Sequence, residues 1–525
     1  MAELPESILS KMTPATALME FAYAKQDCGF YLGEFDPAQG VKGEAGFDDD
    51  RHVFILAGTR GGKGTTSIIN NLLRWAPDAN GAGGGVFVID PKGENAAITA
   101  CARGDLATAR KWGSSVTRCM GQKVAVLDPL GVVEGPAQAY RVDYNPFVDV
   151  DITDMDGAAG EMETFCEAVI MPDEGTGAHF TETVSTLVAG AIEYTLHTED
   201  RRKVTWPYIR DWLVTHLGMP APKEGDHQLV TLLESIDTPE GLTRSAALLL
   251  RTVGPREYGS IVSTLLRQMR WLNNRMMTAH LMGSLEGKQF SLKRAVQENW
   301  TVYVCIPPGM INRYRRWLRL MVAIALDAKT QSPFEHEGPQ TLFILDEFAA
   351  LGSFSQIEIG ASNLAGYGIK LVTVIQNIGQ IQKTYERNWE TFLGNAGLII
   401  AWALNDKASE DYISQRMGQA YQMMPGFSVS KNERDQDPER EANQARANAR
   451  SGLSRNISIQ AVPIMWPNEV RQHGGRPEMR GFVITADGKI FPVKRIPYHR
   501  GNPSGLYDSP DFIKNWIPPE AAQNR

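Results

Sequence analysis

The chain has 525 residues, of which 43% are hydrophobic, and its formal net charge is −8. This length is enough for about two to four soluble domains, and the acidic balance excludes a surface that is basic throughout. The five cysteines show no Cys-x-x-Cys spacing and no His/Cys cluster, which favours a reducing compartment. No segment approaches the roughly 18 consecutive apolar residues of a membrane-spanning helix, so we expect a cytoplasmic protein.

Seven short apolar runs, each bounded by turn residues, predict buried strands of a parallel sheet, because such strands read as continuous apolar segments. Several end in Asp or Gln, which places polar side chains at the carboxyl edge of the sheet, where α/β proteins bind ligands. The predicted fold class is therefore α/β with a mainly parallel sheet. The runs are 52–57, 86–90, 124–128, 301–306, 342–346, 371–375 and 398–402.

The chain divides into five parts on this pattern. Between the third and fourth strands, apolar residues such as Val184, Leu187, Val188 and Ile192 recur at helical spacing, which predicts an inserted all-α domain. The predicted divisions are 1–50 for an N-terminal lead-in, 51–150 for the first part of the α/β domain, 151–299 for the insertion, 300–420 for the second part, and 421–525 for a polar segment, a β-hairpin and a C-terminal tail.

The polar segment, 430–454, is rich in arginine and nearly free of large apolar residues. Two interpretations stay open. It is either a solvated helix or loop, or it presents Arg446, Arg450 and Arg455 as a phosphate-contacting stripe. Further along, two apolar runs joined by Asp487-Gly488 predict a β-hairpin.

The segment 57–75 has the composition of a phosphate-binding loop. Such a loop needs glycines whose backbone N–H groups surround a phosphate, a lysine, and a following helix N-terminus. Two positions depart from G-x-x-x-x-G-K-[ST], since Ala57 replaces the first glycine and Gly64 follows the lysine. Thr65 is therefore the nearest candidate to contact phosphate or Mg²⁺, and a glycine-rich turn without a ligand is the alternative. The predicted nucleotide-binding residues are Thr59, Arg60, Gly61, Gly62, Lys63, Gly64 and Thr65.

An acidic pair follows the apolar run 342–346. ATP hydrolysis requires a carboxylate that reaches Mg²⁺ through its water shell, here Asp346, and a second that polarises the attacking water, here Glu347. Such a pair alone also occurs as a helix N-cap. The phosphate loop and the acidic pair together form two halves of one site, with Lys63, Asp346 and Glu347 as catalytic candidates.

Gln376 closes the next strand and is the fourth catalytic candidate. At this strand tip a polar side chain can sense the γ-phosphate; a capping or surface glutamine is the alternative. Lys92 and Glu94 stand beside the same predicted edge, where a turn-forming role is equally compatible with the sequence.

These motifs together resemble the TraG-type coupling proteins of type IV secretion and conjugation systems. The matching pieces cover most of residues 28–415 and occur in the family's order: AGTRGGKG, VFVIDPKGE, YNPF, TVYVCIPP, LFILDEFAALG, LAGYGIKLVTVIQNIGQIQKTY and FLGNAG. The resemblance implies a RecA-like P-loop domain, an inserted all-α domain, and a homo-hexameric ring with ATP and Mg²⁺ between subunits. It also implies that Asp346 and Glu347 form the Walker B pair and that Gln376 is the sensor, and it leaves the arginine finger unassigned.

The function implied by the resemblance is ATP-driven delivery of cargo to a type IV secretion channel and its accessory proteins. Two cargoes are compatible with it, a relaxase-bound single DNA strand and effector proteins. Family members usually begin with a transmembrane anchor, and the sequence here shows none, so we expect either recruitment to the inner membrane by partners or a truncated chain. The alternatives are a receptor or scaffold that does not hydrolyse ATP, supported by Gly64, and a cytosolic DNA-pumping ATPase.

Overall fold

Strands from both ends and the middle of the chain form one large sheet. The computed structural model describes residues 4–23, 29–77, 84–154, 157–172, 178–217, 228–236, 241–284, 289–331, 340–360, 363–429 and 453–519, without the side chains of 424–429 and 453–457. The strands are β1 (Phe30–Phe35), β2 (Glu44–Phe47), β3 (His52–Ala57), β4 (Val86–Asp90), β5 (Val124–Leu127), β6 (Thr301–Cys305), β7 (Thr341–Leu345), β8 (Ile369–Ile375), β9 (Ala396–Trp402), β10 (Gln419–Val429), β11 (Leu453–Pro463), β12 (Arg480–Thr485) and β13 (Ile490–Lys494).

The seven predicted strands correspond to β3 through β9, with ends that differ by at most two residues. They lie in the order β9-β3-β8-β7-β4-β6-β5, and every neighbouring pair is parallel. Along β3, Val53 and Ile55 belong to the hydrophobic core on one face, whereas Phe54 and Leu56 belong to the core on the other. This burial on both faces explains the continuous apolar runs. The predicted α/β class with a mainly parallel sheet is confirmed.

Helices cover the sheet and fill the region between β5 and β6, where the described residues contain no strand. The predicted helical residues Val184, Leu187, Val188 and Ile192 are all buried. None of the described helices combines the length and the apolar character needed to cross a membrane. The α-helices are Glu6–Leu9, Ile69–Leu72, Glu94–Arg103, Leu106–Lys111, Ala158–Val169, Ala178–Thr198, Trp206–Leu217, Gln228–Leu233, Leu242–Thr252, Pro255–Gln268, Arg275–Leu281, Leu292–Gln297, Ile311–Thr330, Ser355–Gly360, Ile378–Tyr385, Glu390–Gly394, Lys407–Met417, Pro467–His473, Tyr498–Gly501 and Pro510–Asn515.

Four antiparallel strands extend the parallel sheet beyond β9, in the order β2-β1-β13-β12-β9. The predicted hairpin is confirmed as β12 and β13, with Gly488 at a φ of 84° in the turn. We did not predict that β12 joins β9, or that β1, within the N-terminal lead-in, pairs with β13 on one side and β2 on the other. The C-terminal hairpin is thereby brought close to the phosphate loop.

A separate two-stranded ribbon is formed by β10 and β11, which pair antiparallel over their whole length. Of the arginine-rich segment, only Leu453 and Ser454 fall within the described residues, in β11. Arg446 and Arg450 lie outside the described residues, and so does the side chain of Arg455.

Candidate nucleotide-binding site

The predicted phosphate loop connects β3 to a helix that begins with a π-helical turn, Gly64–Ile68. Gly58 lies too close to the Ala403 backbone for any side chain, since a Cβ at this position would lie 1.9 Å from the Ala403 carbonyl oxygen. Gly62 has a φ of 82°, a left-handed conformation that favours glycine. Arg60 adopts a φ of 58° although it is not a glycine. Strain of this kind is concentrated at functional sites.

The backbone of the loop accepts hydrogen bonds from side chains that were not among the predicted site residues. The Gly61 carbonyl accepts hydrogen bonds from Trp402 Nε1 over 2.9 Å and from Arg495 Nη1 over 2.7 Å. The hydroxyl of Thr66 donates to the Gly62 carbonyl over 2.8 Å. The loop backbone is therefore positioned by residues of β9 and of the segment after β13.

The acidic pair follows β7 and faces the loop lysine. Lys63 Nζ lies 2.7 Å from Asp346 Oδ1 and 2.5 Å from Glu347 Oε1. Burial alone would lower the pKa of Lys63, but the two carboxylates together outweigh it and raise the pKa. Burial raises the pKa of Asp346, against the opposing effect of Lys63. Glu347 has a φ of 60° and its side chain makes no capping hydrogen bond, so the simple N-cap interpretation does not describe it.

Gln376 joins the two halves of the site. Its Nε2 donates to both carboxylate oxygens of Glu347, over 2.7 and 2.9 Å. Its Oε1 accepts from the hydroxyl of Thr59 over 2.9 Å. The following helix is capped by Asn377, whose side chain accepts from the Gln380 N–H. The structure therefore places Gln376 between the loop and the acidic pair, not in a capping position.

All ten predicted site residues line one cavity of about 770 Å³, together with Lys92 and Glu94. The cavity also contains Asp90, Asn95 and Arg476, which sequence reasoning missed. The sequence contains a local signal that could have identified Asp90, because this residue ends a buried strand in the quoted motif VFVIDPKGE. The sequence contains no such signal for Arg476, which lies in a short 3₁₀ turn near the end of the chain.

Asp90 is the most deeply buried acid of this cavity. Its Oδ2 accepts from the Ala96 N–H over 2.8 Å, at the start of the helix Glu94–Arg103. Burial raises the pKa of Asp90 to about 7, and the nearby Asp346 adds to the effect. A second acid close to Asp346 thus takes up a proton near neutral pH.

The residues present fit a magnesium nucleotide. The cavity volume lies within the roughly 300–1,000 Å³ of small-molecule sites. Its donor set combines a lysine, the glycine-rich backbone and hard carboxylate oxygens, which suit phosphate and Mg²⁺ respectively. Within the described residues no cluster of three or more His, Cys, Asp or Glu side chains could hold a metal ion by itself. Asp346 is the residue that would hold Mg²⁺, through the water shell of the ion.

Comparison with known proteins gives one consistent family. The model of the family described as "Type IV secretory system Conjugative DNA transfer" matches residues 13–500. The conjugal transfer protein TraG of Escherichia coli is 23% identical over 504 residues, 92% of this chain and 71% of that protein. The protein VirD4 of Rhizobium rhizogenes is 30% identical over 214 residues, 40% of this chain and 29% of that protein.

Solved structures of the plasmid coupling protein TrwB share the fold. The complex with the non-hydrolysable ATP analogue ADPNP has a TM-score of 0.59 at 12% identity and covers 92% of both chains. The complex with ADP and Mg²⁺ also has a TM-score of 0.59 at 12% identity, over 94% of this chain and 95% of that one. With a family model that spans nearly its whole length, this chain belongs to the type IV secretory system conjugative DNA transfer family.

Proposed function

We propose that this chain binds ATP with Mg²⁺ and hydrolyses it to drive cargo into a type IV secretion channel. The observation that carries the proposal is the linked set of side chains at one sheet edge. Lys63 contacts Asp346 and Glu347, and Gln376 connects Glu347 to Thr59. Phosphate-binding, metal-binding and water-orienting groups are all within reach of one bound molecule, as phosphoryl transfer requires.

Each residue has a role in this proposal that follows from its chemistry. Lys63 leaves its two carboxylates to bind the β- and γ-phosphates, while the loop N–H groups surround them. Asp346 holds the Mg²⁺ water shell. Glu347 orients and polarises the attacking water, and Gln376 responds to the γ-phosphate. Mg²⁺ supplies charge neutralisation at the phosphates when it is bound.

The metal-facing hydroxyl is assigned to Thr65. Gly64 follows Lys63 and carries no hydroxyl, whereas Thr65 lines the cavity and Thr66 is buried with its hydroxyl on the Gly62 carbonyl. The Thr65 hydroxyl also lies 3.1 Å from the Gly62 carbonyl, so it would turn away from that oxygen to face Mg²⁺. This alternative hydroxyl weakens the case for a scaffold that does not hydrolyse ATP.

The proposed cargo is a single DNA strand attached to its relaxase. The family model is named for conjugative DNA transfer and the TraG relatives for conjugal transfer, which favours DNA over effector proteins. TrwB, a protein with solved structures of the same fold, holds ADPNP in one structure and ADP with Mg²⁺ in another. We extend the proposal to a homo-hexameric ring with ATP between subunits, which contacts the channel and its accessory proteins and is recruited to the inner membrane by them.

Measured ATP hydrolysis with and without single-stranded DNA tests the proposal. Lys63→Ala should abolish turnover, because it removes the phosphate-binding charge, and its circular dichroism spectrum should stay unchanged. Lys111→Ala is the matched control, since Lys111 is an exposed lysine on the helix Leu106–Lys111, outside the cavity. Turnover by Lys63→Ala equal to that of the Lys111→Ala control would refute the proposal.

A further inference from the structure

Arg495 is buried directly behind the phosphate loop. Only 2% of the residue is exposed, and its Nη1 donates to the Gly61 carbonyl over 2.7 Å. The guanidinium carbon lies 5.1 Å from the centre of the Trp402 ring, and Nε approaches the Arg480 carbonyl at 3.4 Å. These neighbours are neutral groups. Among the described residues no carboxylate pairs with Arg495, and its Nη2 has no hydrogen-bond partner.

Two other buried arginines in the described part of the chain have their charge or their donors satisfied. Arg480, which is fully buried, forms an ion pair of 2.7 Å with Asp36. Arg103, also fully buried, donates from all three of its nitrogens to five acceptor oxygens. A buried charge without a partner is strongly unfavourable, and burial accordingly lowers the pKa of Arg495 to about 9. Such a charge calls for an anion that the protein itself does not provide.

The contact with Gly61 has a defined geometric effect on the loop. A trans peptide is planar, so the Gly61 carbonyl and the Gly62 N–H point in opposite directions. Because Arg495 and Trp402 both hold the carbonyl behind the loop, the Gly62 N–H is directed to the front. No described backbone group accepts a hydrogen bond from that N–H. It is therefore available to an anion in the cavity.

We propose that Arg495 is a positioning residue of the nucleotide site: it orients the Gly61–Gly62 peptide toward the nucleotide phosphates, and their charge compensates its own buried guanidinium. The inference rests on the proposed nucleotide binding. Arg495 acts through the peptide and through its field, without touching the cavity, whose lining does not include it. Removing the charge should therefore have opposite effects on stability and on affinity. It should stabilise the chain without nucleotide, and it should weaken the binding of nucleotide.

The experiment measures both properties in the full chain. Binding of N-methylanthraniloyl-ADP with Mg²⁺ is followed by fluorescence anisotropy, and thermal unfolding is followed with and without saturating ADP and Mg²⁺. For Arg495→Met we expect at least about a tenfold loss of affinity, typical of a lost charge-assisted interaction. The nucleotide-free melting temperature should be unchanged or higher, and the shift produced by ADP should be smaller.

Arg480→Met is the matched control, because it is the same substitution at an arginine that has its own carboxylate. It should lower the nucleotide-free melting temperature, since Asp36 is left buried without its cation, and it should keep the shift produced by ADP. If Arg495→Met behaves in the same way, Arg495 is structural and the inference is wrong. If the unsubstituted chain does not bind the labelled ADP, the proposed function itself fails.

Arg495→Lys covers the case in which Arg495→Met does not fold. Lysine keeps the positive charge and can still donate to the Gly61 carbonyl. Its loss of affinity for the labelled ADP should be smaller than about tenfold, because the charge is retained although the planar group over the Trp402 ring is not. A tenfold loss in a folded Arg495→Lys chain would overturn the inference.

Discussion

Gln376 donates to both carboxylate oxygens of Glu347, over 2.7 and 2.9 Å. The two residues follow neighbouring parallel strands, β8 and β7, so the sheet holds their side chains at the same edge. Glu347 also contacts Lys63, whose Nζ lies 2.5 Å from its Oε1. The Glu347 carboxylate is thus engaged on both sides, and under the proposed function a phosphate that draws Lys63 away would leave it with Gln376 alone.

Glu347→Gln should separate nucleotide binding from hydrolysis. The substitution keeps the volume of the side chain and removes the charge that polarises water. We expect kcat to fall by about 10²–10⁴, the contribution of a general base, with nucleotide affinity within about threefold. Steady-state phosphate release and anisotropy measure the two effects. Glu163→Gln, at an exposed position of the helix Ala158–Val169, is the control, and a kcat equal to its value would contradict the role of Glu347.

The side chain of Gln376 connects Thr59 of the phosphate loop to Glu347, so a change at the loop should affect Glu347 through Gln376. Gln376→Leu removes the hydrogen bonds to both Glu347 and Thr59. We expect about a tenfold fall in kcat with a smaller change in KM, since these contacts are worth about 1–2 kcal/mol. Thr59→Ala removes only the contact with the loop. In a double-mutant cycle, the double variant should lose no more activity than Gln376→Leu alone. Additive losses would show that Thr59 and Gln376 act independently.

The glycines of the loop should differ sharply in how well they tolerate substitution by alanine. A Cβ on Gly58 would meet the Ala403 carbonyl at 1.9 Å, whereas a Cβ on Gly64 has only the Asn95 Oδ1, at 4.0 Å, near it. Gly58→Ala should therefore lower the free energy of unfolding by about 1–3 kcal/mol, the cost of overpacking, and weaken nucleotide binding. Gly64→Ala should unfold at nearly the same urea concentration as the natural chain. Equal stabilities of the two variants would contradict the close approach of the loop to Ala403.

The sequence predicted those elements whose physical cause is local. Strands buried on both faces must be apolar throughout, so β3 to β9 could be recognised, and the Asp or Gln at their ends identified the functional edge. Arg495 could not be found in this way, because its partner Gly61 is 434 positions away and its contact depends on the sheet order. The same holds for β1, whose partner β13 lies at the other end of the chain. Gly58 was also missed as the close-approach glycine, because the consensus spacing pointed to Ala57.

Asp90 should make the stability of the nucleotide-free chain depend on pH. Its pKa is about 7 in the folded chain against an ordinary value of 3.8, so between these values the folded state holds a proton that the unfolded state has released. The free energy of unfolding therefore falls as the pH rises from about 4 to about 7, by roughly 4 kcal/mol at most, and is flat above. Asp90→Asn has no ionisable group at this position, so its free energy of unfolding should lack this part of the dependence on pH. At pH 8 it should be more stable, relative to the natural chain, than at pH 5.

Urea unfolding at pH 5 and pH 8 measures the effect of Asp90, and an exposed acid provides the control. The Thr108 N–H lowers the pKa of Asp105, so that any stability linked to this group is lost only below its ordinary pKa. Asp105→Asn should therefore leave the change between pH 5 and pH 8 as it is in the natural chain. Titrating groups that do not interact with Asp90 are common to all three chains, so their contributions cancel when the slopes are compared. The free energy of unfolding of Asp90→Asn could instead change between pH 5 and pH 8 as much as that of Asp105→Asn. Asp90 would then be ionised across this range, and the acidic edge of the cavity would carry its full negative charge before nucleotide binds.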